Sequence, residues 1–339
     1  RFVNFLSAAL DAMKQTGPTL TPEAHASFVA VVMSAYTRGT QMATGRAAAP
    51  DAVLLDALEN AMEELITGAG KRPLSAMYST CIETFKLVDA EARRAPPSSE
   101  SLEKTLAAPI WCLRSLVKSF GVSKAVRTAT QEHAEMVMDS CARVLNVAAK
   151  TPGANALVLK TLEIAYEFAK LGARCELSTR CVSRMCQLPS VARASTSVID
   201  DDESSKAVFA QACELLGSLL KARREHLRRA VSNVTVTCSR LLDDLRRLKA
   251  SGAPDDVIRA CAAKLSYVYE AAESSGLERY CTHLLADIIS AITGGGIGVV
   301  AERALKPGVF ALLDACGDRE LQQLHAALGT GAGGARRVV

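Results

Sequence analysis

Thiols are the groups this chain supplies most freely for chemistry. There are eleven: Cys81, Cys112, Cys141, Cys175, Cys181, Cys186, Cys213, Cys238, Cys261, Cys281 and Cys316. A thiolate can hold zinc or attack an electrophile, and each use demands a particular setting. Structural zinc sites pair ligands about two to four residues apart and complete a set of four. The densest group, Cys175, Cys181 and Cys186, is spaced by six and five, with no His nearby. The total is odd and no regular spacing points to a disulfide framework. Set among Leu, Val and Ala, these residues read as small buried hydrophobes. The protein is expected in a reducing compartment, cytosol or nucleus, without structural disulfides.

The histidines His25, His133, His226, His283 and His325 are scattered. None stands in an HExxH pattern or beside a Cys pair. His283, between Cys281 and Leu284 on an apolar segment, reads as a hydrogen-bonded packing residue. Gly294-Gly295-Gly296-Ile297-Gly298 has the glycines of a phosphate loop. It lacks the closing Lys-Ser/Thr of a Walker loop and the strand that precedes a dinucleotide loop, so it reads as an interhelical turn. Asp200 to Glu203 are consecutive, whereas cation-binding loops alternate ligands with spacers around a glycine bend. They read as part of a solvated acidic linker, with a docking loop for a basic partner as the alternative. No catalytic constellation emerges, and no cofactor or metal is expected.

The basic residues have a clearer pattern. From Ser204 to Lys249 ten Lys/Arg stand against four acidic residues, a local net of +6. On a continuous helix Lys221, Arg224 and Arg228 share one face, flanked by Arg223, with Arg229 next to Arg228. Leu215, Leu216, Leu219, Leu220 and Leu227 take the remaining arc. Arg246, Arg247 and Lys249 end the following helix, where cations suit the negative end of the helix dipole. Three uses fit such a stripe: contact with a phosphate backbone, contact with an acidic protein, or a solvated face. Reversing Arg223, Arg224, Arg228 and Arg229 to Glu is expected to leave folding intact and weaken association with a particle.

The elements that must position these residues are helices. Apolar residues make up 49% of the 339, carried by Ala and Leu, and aromatics only 4%. Both Ala and Leu are good helix formers, and alternating β-branched runs are few. Helical periodicity is expected at 2–15, 22–43, 50–66, 73–92, 101–120, 123–150, 155–171, 177–186, 206–229, 231–250, 254–274, 276–292, 298–316 and 318–328. Thr21 is the expected N-cap ahead of Pro22. Short turns between consecutive helices favour antiparallel pairs. The expected fold is all-α, an irregular α-solenoid of HEAT- or armadillo-like stacked pairs without a strict repeat. Residues 1–92 form N-terminal helical repeats and 101–188 middle repeats. An acidic, Ser-rich linker covers 189–205, a C-terminal helical domain 206–328, and a Gly/Arg tail 329–339. The chain begins at Arg1 without an initiator Met and reads as a piece of a longer protein.

The net charge of +4 is too mild to imply nucleic-acid binding. The most apolar stretch, Leu284 to Ala301, is interrupted by Asp287 and three glycines, which argues against a membrane span.

Four blocks in order resemble one family. Leu215-Leu216-Gly217-Ser218-Leu219-Leu220 with Arg223 and Arg228, then Leu241-Leu242-Asp243-Asp244-Leu245, resemble a helix pair from its C-terminal domain. Tyr280 to Ile289 (YCTHLLADII) is similar to its next block. Leu305-Lys306-Pro307-Gly308-Val309-Phe310-Ala311-Leu312-Leu313-Asp314 matches most closely: an aliphatic, Pro-Gly, an aliphatic, an aromatic, Ala-Leu and an aliphatic-Asp pair. Glu320-Leu321-Gln322 and Leu328 continue it. The family is the nucleolar pre-ribosomal RNA processing family of the second "unhealthy ribosome biogenesis" protein, and the likeness spans about Val208 to Leu328. The family pattern then continues with an Asp, a Gly-Arg and an aromatic-containing helix, whereas here Gly329 to Gly334 (GTGAGG) intervenes.

The resemblance implies a non-enzymatic assembly factor of early large-subunit (pre-60S) precursors, in the nucleolus or nucleus. Its implied partners are a sister scaffold protein, a DEAD-box helicase and pre-rRNA. The competing reading is a generic solenoid adaptor unrelated to ribosomes. Pro307 is expected at a helix start, and Gly308 to allow close packing.

Overall fold

The computed structural model describes residues 21–44, 52–193, 203–273 and 275–330. All regular elements among them are helical, and the chain divides into two compact units, 1–168 and 169–339.

The first unit holds α1 (Pro22–Thr44), α2 (Ala52–Gly68), α3 (Lys71–Ala92), α4 (Ser99–Lys118), α5 (Lys124–Ala148) and most of α6 (Asn155–Lys170). Their starts follow local hydrogen-bond chemistry. The hydroxyls of Thr21, Ser98 and Ser123 accept from the backbone N–H three residues on, at 3.3, 3.2 and 3.2 Å. Each satisfies a first-turn donor that has no intrahelical partner. Helix α3 packs against α4 and α5 through Leu74, Tyr78, Ile82 and Phe85, all buried. The Tyr78 hydroxyl meets the equally buried Thr130 hydroxyl at 2.8 Å, so this core leaves no unpaired phenol.

The second unit holds α7 (Thr179–Arg193), α8 (Glu203–Ala222), α9 (Arg224–Leu227), α10 (Val231–Ala250), α11 (Asp255–Glu273), α12 (Glu278–Thr293), α13 (Gly298–Ala315) and α14 (Asp318–Thr330). Its centre is α11, which packs closely on α8 and on α13. Two glycines permit those approaches. A Cβ on Gly217 would lie 2.5 Å from the Tyr267 ring, and one on Gly308 would lie 2.6 Å from the Ser266 carbonyl oxygen. The Gly308 N–H donates to Ser266 Oγ at 2.8 Å.

Most helix positions agree with the periodicity, and α10 does so residue for residue. The helix expected at 2–15 lies outside the described residues. Three corrections concern segment ends. Pro307 sits mid-way along α13, not at its start. Pro189 to Arg193, expected in the linker, complete α7, and Glu203 to Ser205 open α8. Residues 194–202, which carry most of the acidic run, and the tail from 331 lie outside the described residues. Third, the helix expected over 206–229 is two helices, parted at Arg223.

A proline inside a helix removes one donor and crowds the carbonyl a turn earlier. Pro189 lies inside α7, and side chains of α10 reach carbonyls of α7 on both sides of it. Asn233 Nδ2 donates to the Ser183 carbonyl at 3.0 Å, Thr237 Oγ1 to that of Cys186 at 2.8 Å, and Arg240 Nη1 to that of Ser190 at 3.0 Å. Spaced by four and three, these side chains share one helical face, so α10 is stitched along α7. Ser232 and Val236, on another side of α10, remain exposed.

Candidate basic groove

The break at Arg223 redistributes the basic residues. Arg223 has φ −131° and ψ 34°, outside helical values. Its side chain turns inward and is 1% exposed, and Nη1 donates to the Cys175 carbonyl at 2.7 Å. Burial lowers its pKa from the ordinary arginine value. Arg223 is therefore removed from the phosphate-contacting set, and a reversal that includes it tests the core as well as the surface. Lys221 belongs to α8 and Arg224 to α9, while Arg228 and Arg229 lie in the turn before α10; all four are exposed. They do not form the single stripe of one continuous helix. Leu215, Leu216, Leu219, Leu220 and Leu227 are fully buried, as the helical arc requires.

The remaining cations have local tasks. Lys221 Nζ stands 4.1 Å from the centre of the Tyr267 ring, a cation–π contact. Arg246 pairs with Asp243 at 2.6 Å. The stems of Arg246 and Lys249 lie along Gly296 and Gly298, so the glycine-rich turn is a bed for two long side chains. Arg247 is exposed.

Arg228 and Arg229 are drawn into a concave feature. A groove of about 700 Å³ runs between α10 and α12, with the turn carrying the two arginines as part of its lining. Arg240 and Ser239 come from α10, and Tyr280, His283 and Asp287 from α12. Neither Arg228 nor Arg229 forms an ion pair among the described residues, whereas Asp287 accepts from the Ser239 hydroxyl. Tyr280 and Val236 remain 38% and 51% exposed. His283 is exposed on the groove wall rather than packed within the helix core, a correction to its expected role. Its i, i+3, i+7 relation to Tyr280 and Asp287 is visible in the sequence, but nothing there shows that this face of α12 looks onto α10.

The Pro-Gly block on α13 has two faces. Leu305, Gly308 and Leu312 are buried, at the spacing of three and four that faces a neighbour. Pro307, Phe310 and Asp314 are exposed and Leu313 half-buried, with Phe310 at 58%. All eleven cysteines are free and buried, and the described residues contain no cluster of three or more metal-ligating side chains.

A model of the Urb2/Npa2 family matches residues 110–336, two thirds of the chain. The chain belongs to the Urb2/Npa2 family. The match begins about a hundred residues before the likeness carried by the C-terminal blocks, and so takes in α5 and α6 as well as the groove. No curated protein and no solved structure matches the chain. Urb2/Npa2 membership implies a role in ribosome biogenesis and association with pre-60S assembly factors. Among the described residues, no helix is long and apolar enough to cross a membrane.

Proposed function

We propose that this Urb2/Npa2 chain is a non-enzymatic helical scaffold in the nucleolar assembly of early pre-60S particles and in pre-rRNA processing. Its helix pairs stack as an irregular α-solenoid, with residues 206–328 as the ribosome-biogenesis-type C-terminal domain. The observation that carries the reading is the groove between α10 and α12, where Arg228 and Arg229 stand without carboxylate partners beside Arg240. Unpaired guanidiniums on a concave wall attract phosphates without reading sequence. Arg224, Arg247 and Lys249 extend the positive surface, and Arg246 adds to it while paired with Asp243. The protein partners are a sister scaffold protein and a DEAD-box helicase. Phe310 and Pro307 on α13 offer an apolar contact for one of them.

The test is affinity purification of the full-length protein from cells, with sequencing of the bound RNA and identification of the bound proteins. Large-subunit precursor rRNA and early assembly factors are expected together. A nuclease-resistant set of unrelated proteins without rRNA would leave a solenoid adaptor as the function.

A further inference from the structure

We propose that the groove between α10 and α12 takes an unpaired segment of RNA, with Tyr280 as the surface on which a base stacks and Arg228 and Arg229 as the holders of flanking phosphates. The proposal rests on the RNA-binding reading above and adds the form of the RNA and a residue that touches a base.

Three observations carry it. The first is size. At about 700 Å³ the groove lies in the range of clefts that enclose one small ligand. One or two nucleotides fit that description, whereas a duplex presents its phosphates as a broad ridge and its bases turned inward. The second is the exposed aromatic ring. Tyr280 is 38% exposed in a chain where Tyr78 and Tyr269 are buried to 1% or less. Phenol rings at a concave, cationic wall give unpaired bases a stacking partner, which paired bases cannot use.

The third is the arrangement of charge. Arg228 and Arg229 precede the first turn of α10, and Asp287 is tied to Ser239 on the same helix. Val231 and Ser239 are separated by about 12 Å of helix. Asp287 repels phosphate beside Ser239, where Arg240 already donates to the Ser190 carbonyl, so Arg228 and Arg229 are the guanidiniums left for backbone anions, and the exposed Tyr280 and Val236 are left for a base. An acidic peptide would use the arginines but leave the phenol ring without a stacking partner.

The test is equilibrium binding of the full chain to labelled oligouridine, alone and annealed to oligoadenosine, at several salt concentrations. Tighter binding of the single strand is expected. Tyr280→Phe should bind as the parent does, and Tyr280→Ala should bind about tenfold more weakly, the usual effect of removing one stacking ring. Arg228→Gln with Arg229→Gln should lower the slope of log affinity against log salt by about 1.4, the single-strand value for two phosphate contacts. Unchanged melting temperatures of the variants confirm that binding alone is read. Equal affinity for the duplex with no loss in Tyr280→Ala overturns the proposal, as does full displacement of the oligouridine by oligoglutamate with Tyr280→Ala still binding like the parent. If precursor rRNA co-purifies from cells but Tyr280→Ala binds like the parent, the scaffold reading stands and this groove inference falls. If oligouridine binding depends on Tyr280 while no rRNA co-purifies, the groove inference stands and the ribosomal reading falls.

Discussion

Arg223 donates from Nη1 to the carbonyl oxygen of Cys175 at 2.7 Å, inside the second unit, where the arginine is 1% exposed. The bond ties the entrance of α7 to the break between α8 and α9. His226 makes a parallel tie nearby, meeting the Thr179 hydroxyl at 3.0 Å. Replacing Arg223 by Ala removes a charged hydrogen bond and leaves a buried acceptor unmade, at a cost of about 2–4 kcal/mol. Arg223→Glu should do worse, since it buries an anion against that carbonyl. Arg229→Glu, on the surface, should stay within about 0.5 kcal/mol of the parent. Chemical denaturation of the three variants checks this; equal stability of Arg223→Ala and the parent would show that the bond contributes nothing.

Gly308 should resist substitution more than Gly217. A Cβ on Gly308 meets backbone, at 2.6 Å from the Ser266 carbonyl oxygen and 3.0 Å from its Cα. Helix α11 itself must then move, and overpacking of this kind costs about 1–3 kcal/mol. On Gly217 the obstacle is the half-exposed Tyr267 ring, which can turn aside. Thermal melting should therefore show a clear drop for Gly308→Ala and a smaller one for Gly217→Ala. The reverse order would mean that the α8–α11 contact is the stiffer of the two.

These two positions also show how far the sequence carries. Gly308 was legible because a Pro-Gly pair on an apolar helix face has few other uses than close packing. Pro307 reads as a start signal, since a proline is met more often at a first turn than mid-helix, yet it sits inside α13. The Arg223 break was not legible at all. No Gly or Pro marks it, and the periodicity of the leucines continues across it. The buried side chain at the break bonds to a carbonyl 48 residues earlier in the chain, and pattern reading along one helix cannot find that. The groove was half legible: its arginines stood out by local charge, but the register of α12 against α10 is a tertiary fact.

The buried thiols make the fold sensitive to alkali. Burial pushes Cys186 up to about 12, and it does the same for Cys238, with neighbouring thiols and Asp287 adding to it. Their ordinary value is 9.0. A thiol whose folded pKa is raised contributes stability that is intact below the unfolded value and is lost as pH rises toward the folded one. Between pH 9 and 12 each of these two should remove about 1.4 kcal/mol per pH unit. Below pH 9 the same burial protects them, so at pH 8 a thiol-specific reagent should find few reactive groups in the native protein and all eleven after denaturation. Rapid reaction of most thiols in the native state would contradict their burial.

Arg193 and Asp244 form another buried charged contact in the second unit, Nε to Oδ2 at 2.7 Å with side chains 1% and 5% exposed. Arg193 closes α7, Asp244 lies on α10, and Arg193 Nη1 also reaches the Ser205 hydroxyl of α8 at 3.4 Å. Burial raises the Asp244 carboxyl above its ordinary value, and the attraction of Arg193 offsets only part of that. Such a pair gains little over a well-packed apolar pair, yet removing one partner strands the other charge. Asp244→Ala should therefore cost about 3–5 kcal/mol, and Asp244→Asn less because it keeps an acceptor at the same position. The double change Arg193→Met with Asp244→Leu should recover most of the loss. A thermodynamic cycle through the parent, Arg193→Met, Asp244→Leu and the double variant gives the coupling directly. If the double variant is as unstable as the sum of the single ones, the two side chains act independently, and the junction of α7, α8 and α10 rests on their apolar faces and on the bonds from Asn233, Thr237 and Arg240 to α7.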